Sequence, residues 1–348
     1  MHRLACLIAL SAGVVAAQNT ASLPLVNQQD PATIQDLINA IRTGADCRDV
    51  QYDEASRAFQ LRCADASVAM AQWVLRQADR PAGAPTPSAP VSYTYTGGSG
   101  KETENTAVRM FFLDKNDSAP DVQDFLNILR TGADIQRVFP ISSMKVLLVR
   151  SVPERVETAE WMIRQLDQPA QPGKMAIGQF RLTGAEQADP RVNRTTAIRV
   201  FWLTNPSAQW IVDWQNILRT GCDIQRVFPL NSRHAVLLRG EPERVVLAEW
   251  LAQQLDQKPQ TNRKTASYEY LDPVFSSNSR SVRVLFLDPL LSVAALNDLQ
   301  GRIRREAQMQ RILPMYDANA LVVEGRPEQV AAAEKIVRDA EEAASPSK

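Results

Sequence analysis

The chain has little of what most active sites are built from. Of 348 residues only two are histidine, His2 and His234, and only four are cysteine. No H-x-x-x-H and no C-x-x-C occurs, so the sequence offers no metal-ligand set, and no cofactor is expected. G-x-S-x-G is absent too. The one glycine-rich stretch, Gly97-Gly98-Ser99-Gly100, precedes an apolar strand pattern instead of opening a helix, as a phosphate cradle would require. Net charge is also lacking: 39 Lys and Arg balance 39 Asp and Glu, which argues against nucleic acid and against polybasic attachment to a membrane surface. Beyond the first 17 residues no apolar run approaches the 18 needed to cross a bilayer, so no integral span is expected in the mature chain.

What is present is repetition. Ile41 opens I-R-T-G-A-D-C-R-D-V, Leu129 opens L-R-T-G-A-D-I-Q-R-V-F-P, and Leu218 opens L-R-T-G-C-D-I-Q-R-V-F-P. The glycines stand at Gly44, Gly132 and Gly221, 88 and 89 residues apart, and a fainter fourth copy starts at Arg304. Spacing of this size means repeated small domains, not a solenoid of short units. In each copy an apolar strand such as Val108–Leu113 leads into a helical pattern carried by Val122, Phe125, Leu126 and Leu129. Gly132 is expected to close that helix as a left-handed C′ residue, with Arg130 in the last turn. Two apolar runs follow, Ile135–Phe139 and Val146–Val149, around the turn Pro140-Ile141-Ser142-Ser143. A second helix begins near Pro153 and ends at L-D-Q-P.

The fold class is therefore α+β: four tandem βαββα modules, each a small sheet with two helices packed on one face. Lead-in strands are expected at Val91–Tyr95, Gly178–Leu182 and Tyr268–Leu271, before copies two to four but not before copy one. The expected organisation is a signal peptide over 1–17, module 1 over 22–80, a Pro-rich linker over 81–91, and modules 2, 3 and 4 over 92–169, 174–258 and 265–343. The leader reading rests on a basic start at Met1-His2-Arg3, an apolar stretch over Leu4–Ala17, and small residues before Gln18. Cys6 precedes the end of that stretch, unlike a lipoprotein cysteine.

Two sets of residues stand out. Cys47 and Cys63 flank a hairpin centred on Ala55 and are expected to face each other across it; a disulfide and a buried thiol pair both fit. Trp73, Trp161 and Trp250 occupy one position of the second helix, on the side away from stripes such as Val156, Ala159, Ile163 and Leu166. They are candidates for an inter-module or partner interface, the alternative being that each covers its own linker. Copy four has Lys335 there, as a terminal repeat with a polar outer face would. Asp134 and Asp223 recur with the repeat and are expected to bond backbone groups just after the helix end.

Stretches such as Asn319-Ala320-Leu321-Val322-Val323-Glu324-Gly325-Arg326-Pro327-Glu328-Gln329-Val330 and Ala235–Val245, each followed by a helix, carry a family resemblance. They resemble the short periplasmic, ring-building N-terminal domains of bacterial secretins, across nearly all of the mature chain. Unlike in that family, no long β-rich channel region is expected after these modules. The same fold resembles KH-type RNA-binding domains, but no copy has their G-x-x-G loop between helix and strand. The resemblance implies an exported, non-enzymatic protein–protein assembly module in the periplasm, at or near the outer membrane. Its partners would be further copies of itself or envelope secretion components. An exported ligand-binding module unrelated to secretion is the alternative, and a hydrolase without a recognisable motif a weaker one. His234 reads as a solvated turn residue instead of a base. The leader yields the first prediction: Edman sequencing of the exported chain should begin at Gln18, and an intact Met1 would overturn that reading.

Overall fold

A computed structural model of the chain describes residues 19–28, 30–81, 83–97, 106–113, 119–180, 197–204, 207–257, 264–271, 279–287 and 292–344. The expected leader lies outside these, as do Leu182 and most of the Gly97–Glu104 stretch. Two compact units are formed: Met1–Asp114 with Arg137–Pro153, and Lys115–Gln136 with Glu154–Lys348. Among the described residues, no helix is long and apolar enough to cross a membrane.

The first unit contains two antiparallel sheets. Strands β1 (Asn19–Pro24), β2 (Asp49–Asp53) and β3 (Ala58–Cys63) pair in the order β1-β3-β2. Helix α1 (Pro31–Asn39) and helix α2 (Asp65–Ala78) belong with them, and Leu37, Met70, Val74, Phe59 and Leu61 form one buried cluster. Asp30 starts α1 by accepting the Thr33 amide at 2.8 Å. The second sheet has four strands, β4 (Val91–Thr94), β5 (Ala107–Phe112), β6 (Arg137–Ile141) and β7 (Val146–Ser151), in the order β4-β5-β7-β6. The fourth strand is the lead-in; among the described residues the first sheet has three strands.

The second unit begins with α3 (Ala119–Asn127) and α4 (Pro153–Leu166, all but its first residue). The third sheet, β8 (Met175–Gln179), β9 (Ala197–Trp202), β10 (Arg226–Leu230) and β11 (Ala235–Gly240), pairs in the order β10-β11-β9-β8. Its helices are α5 (Ala208–Asn216) and α6 (Pro242–Leu255). The fourth sheet, β12 (Ala266–Leu271), β13 (Ser279–Phe286), β14 (Arg311–Met315) and β15 (Ala320–Gly325), repeats the order, with α7 (Val293–Glu306) and α8 (Pro327–Ala344). The chain is thus α+β, with four small sheets and the βαββα order running through it.

Several boundaries differ from the sequence reading. The lead-in of the third sheet starts at Met175, not Gly178, and ends at Gln179. Pro140 and Ile141 lie in β6, and the turn is the 3-10 segment Ser142–Met144 followed by left-handed Lys145, φ 54°. His234 and Asn319 hold the same left-handed place in copies three and four, φ 51° and 46°. His234 is therefore a turn residue. Pro is tolerated in β6 because that strand is at the sheet edge.

The repeated glycines also do something other than expected. Helices α1, α3 and α5 each widen into a π turn, Ala40–Gly44, Ile128–Gly132 and Ile217–Gly221. The left-handed residue comes two positions later, at Asp46, Asp134 and Asp223, with φ of 57°, 54° and 54°. Aspartate tolerates that region better than most residues. The next amides close the turn backwards, Ile135 to the Leu129 carbonyl at 3.1 Å and Ile224 to Leu218 at 3.0 Å. Helix α7 has no π turn and runs unbroken to Glu306.

Cys47 and Cys63 are joined in a disulfide with Cα atoms 5.2 Å apart. The pairing differs from the expected one in register. Strand β2 starts only at Asp49, and Asp49 opposes Arg62, so the hairpin is centred between Ala55 and Ser56. Cys47 therefore reaches Cys63 from the loop that follows left-handed Asp46, not from a facing strand position. Cys222 is free and wholly buried, and burial pushes its thiol pKa up, so it resists deprotonation. Native chain starting at Gln18 should show no reactive thiol. Unfolding without reductant should release one, and unfolding with reductant three; three without reductant would refute the bridge.

Candidate functional site

The repeated segment I/L-R-T-G-x-D ends its helix against the next sheet, and the same joint forms three times. In the first unit, Leu37, Ala40 and Ile41 share one buried cluster with Val108, Met110, Ile141, Val146 and Leu148 of the second sheet. In the second unit, Trp210, Trp214, Ile217 and Leu218 share one with Val282, Val284, Met315 and Val322 of the fourth sheet. This explains why β11 and β15 are buried at every residue, like β7. A strand covered on both faces reads as a continuous apolar run. Strand β3 instead exposes Arg62 and half-exposes Gln60.

The contact is tight at Gly44 and Gly221, where a side chain would crowd the next sheet, and ordinary at Gly132. A Cβ on Gly44 would lie 3.0 Å from Leu148 and 3.2 Å from Phe139. One on Gly221 would lie 3.1 Å from Leu313, and one on Gly132 would be 3.6 Å from Leu237 and Phe228. The fourth copy has Glu306 at this position, and it is exposed.

At the rim, the left-handed aspartate receives arginines from the next sheet. Asp46 pairs with Arg137 and with Arg150, whose Nη1 is 2.7 Å from Oδ2. Arg150 also donates to the Gly44 carbonyl at 2.8 Å. Asp134 pairs with Arg226 and, at 2.8 Å, with Arg239, which donates to the Gly132 carbonyl at 2.6 Å. Arg226 also donates to the Thr131 carbonyl at 2.7 Å. The arginines thus take up both the aspartate and helix-end carbonyls, where cations are favoured. The aspartates accept side-chain donors from the next copy, in place of the local backbone bonds expected from sequence.

Each buried arginine is also stacked. Arg150 lies 3.6 Å from the ring centre of Tyr95, and Arg239 lies 3.6 Å from that of Phe180. Both aromatics directly follow the lead-in strand of the sheet that carries the arginine. Burial pushes the Arg239 pKa down to about 10, with Asp134 opposing the shift, so the side chain is charged at neutral pH.

The third joint reverses one charge. Where the second and third sheets carry Arg150 and Arg239, the fourth carries buried Glu324. Arg311 bridges Asp223, at 2.9 and 3.0 Å, and Glu324, at 2.9 Å. The Tyr270 hydroxyl donates to Glu324 at 2.5 Å and accepts from Arg244 at 2.8 Å. Tyr270 corresponds to Tyr95 and Phe180, but here the hydroxyl is what the inverted charge needs. Arg244, from the preceding copy's second helix, supplies the missing cation, 3.4 Å from Asp223.

A further carboxylate sits on the helix itself. Asp36 accepts the Ser142 amide at 2.7 Å, and Asp213 accepts the Tyr316 amide at 3.0 Å. These amides open the 3-10 turn of the next sheet. Nothing in the amino-acid pattern singles out either residue, since both sit on helix faces that look solvated without a neighbour.

The structure places the three tryptophans beside lead-in strands of the following sheets. Trp73 is buried with its ring 5.2 Å from Tyr93 of β4, and Trp250 lies 5.3 Å from Tyr268 of β12. Trp161 lies against β8, so close that a Cβ on Gly178 would meet its ring at 2.7 Å. An open groove of about 400 Å³ beside α1 is lined by Ile34, Ile38, Tyr52, Glu54 and Arg57 among others, and it holds one carboxylate.

Removing Asp134 would leave Arg239 buried beside lost acceptors. Asp134→Ala should cost about 3–5 kcal/mol in denaturant unfolding; a loss under about 1 kcal/mol would mean that the pair is incidental. Asp213 ties stability to pH. Burial raises its pKa, so its stabilising contribution is full below its ordinary value of 3.8 and is lost as pH rises through the folded value. Asp213→Asn keeps an acceptor for Tyr316 and should raise the melting point at about pH 7, with the gain vanishing near about pH 3. A lower melting point at about pH 7 would show that the charge itself is needed.

No protein-family model matches the chain, and no curated protein matches it. Solved structures similar to it include a dimeric cysteine mutant of the N-terminal domain of the secretin XcpQ from Pseudomonas aeruginosa, at 16% identity over 44% of this chain and 60% of that one, TM-score 0.18. Aeromonas hydrophila ExeD is similar at 15% identity over 72% of this chain and 43% of that one, TM-score 0.16. The pilotin–secretin complex AspS–GspD of ETEC is similar at 14% identity over 88% and 58%, TM-score 0.16. The chain thus spans about half of the length of these proteins, and at such scores the likeness bears on neither activity nor partners. It does resemble N-terminal domains of secretins.

Proposed function

We propose that this chain is an exported, non-enzymatic protein–protein assembly module of the bacterial envelope, working in the periplasm beside a secretion or pilus secretin. The observation that carries this reading is the joint used three times over, with an aspartate after a helix end gripping arginines of the next sheet. Joints of this kind fix neighbouring small domains so that they present repeated surfaces, which suits assembly. The Cys47–Cys63 bridge supports an oxidising compartment. The boundaries read from sequence, 22–80, 92–169, 174–258 and 265–343, are proposed as the modules, and Trp73, Trp161 and Trp250 as part of the surface between them.

The deciding experiment uses the producing bacterium. The chain should be found in the periplasmic fraction. Its deletion should lower the amount of secretin-dependent protein reaching the medium. A photo-crosslinker at exposed Ile177 or Val246 should join it to itself or to an envelope secretion component. A cytoplasmic chain, or a deletion that leaves secretion and piliation unchanged, would overturn the proposal.

A further inference from the structure

We infer that the Cys47–Cys63 disulfide is the lock of the first joint, so that this joint, unlike the third, closes fully only after oxidation. Cys47 follows Asp46 directly, and Asp46 is the residue that receives Arg137 and Arg150. Asp46 is left-handed, φ 57°, in the short loop running from the π turn to β2. The disulfide ties that loop to β3 at Cys63, within the rigid sheet of the first copy.

Copies three and four hold the equivalent loop by packing. In copy three the matching pair is Ile224 and Gly240, and a Cβ on Gly240 would lie 3.1 Å from the Ile224 side chain. In copy four it is Met309 and Gly325, at 3.0 Å. A branched or long apolar side chain resting on a bare glycine fills the space that two sulfurs fill in copy one. Two separate thiols at these positions would not be bonded, and their sulfurs would have to move apart to van der Waals distance. The Asp46 loop would then lose its attachment to β3, while the backbone bond from the Cys47 amide to the Ile41 carbonyl, 3.4 Å, is long.

The redox step is a two-electron thiol–disulfide exchange. A dithiol reductant attacks one sulfur through its thiolate, forming a mixed disulfide. Its second thiolate then displaces the remaining cysteine. The reductant leaves as its own disulfide, and Cys47 and Cys63 each take up one proton. With Cys47 wholly buried and Cys63 6% exposed, the bridge is sheltered in the folded chain. The lock is therefore set during folding by the reverse exchange: a disulfide oxidant takes the two electrons, Cys47 and Cys63 each give up one proton as their S–S bond forms, and the oxidant leaves as its dithiol. The inference goes beyond the assembly reading: the joint can depend on the bridge whether or not a secretin is the partner, and failure of either leaves the other standing.

The test is hydrogen exchange on the full chain, refolded from denaturant with or without dithiothreitol. Exchange in Ile41–Cys47 and in β6–β7 should quicken about tenfold or more in the reduced form. Ile217–Ile224 and β14–β15, which form the third joint, should not change. Cys47→Ser with Cys63→Ser should behave as the reduced chain does. Cys47→Ile with Cys63→Gly, the copy-three pair, should restore slow exchange with or without reductant. Unchanged exchange at the first joint on reduction would overturn the inference. So would loss of protection throughout α2, which would show the bridge holding the first copy's own fold, or a failure of the Ile/Gly pair to restore the joint.

Discussion

The fold depends on one arrangement, a carboxylate placed just beyond a helix end by a left-handed backbone step and met there by guanidinium groups of the next sheet. The arrangement works because several demands are met at one point. The π turn leaves carbonyls without helical partners, and Arg150 and Arg239 take them up at Gly44 and Gly132. Those arginines are almost fully buried, so they need an anion, which Asp46 and Asp134 supply. The aromatic after each lead-in strand then covers the guanidinium plane. Taking away any member leaves another buried without a partner.

The third joint shows which part of this is chemistry and which is geometry. Its arginine position holds Glu324, yet the local backbone is the same and the neighbouring strands keep their register. What changes is the supply of charge. Arg244 comes from the preceding helix, and the tyrosine hydroxyl stands between it and Glu324. The backbone fixes where a charge must be neutralised, and several side-chain sets can do so. The fourth copy marks where the pattern stops. Glu306, Gln308 and Lys335 replace the glycine, aspartate and tryptophan, and α7 keeps its regular helix.

Much of this was legible in the residues. The spacing of Gly44, Gly132 and Gly221 set the repeat, and the strand and helix periods gave the βαββα order with its extra lead-in strand. These are local signals, and local structure follows them. The cysteine pair was legible as a pair, but its register was not, because β2 starts two residues after Cys47 and no hydrophobic pattern marks that delay. Gly132 was misread as a left-handed cap because glycine is the usual residue there. The π turn shifts that role to Asp134, and it is at Gly44 and Gly221 that the absent side chain allows a close approach of the next sheet.

The sequence by itself determined the repeat, the order of elements and the positions held in common, because each depends on contacts within a few residues or on one face of one element. Only the tertiary structure decided what those common positions are for. Asp46 meets Arg150 across 104 residues, Asp134 meets Arg239 across 105, and Asp36 meets the Ser142 amide across 106. A charged residue on a short helix carries no mark of a partner so distant in the chain, and it reads as solvated until the next sheet covers it.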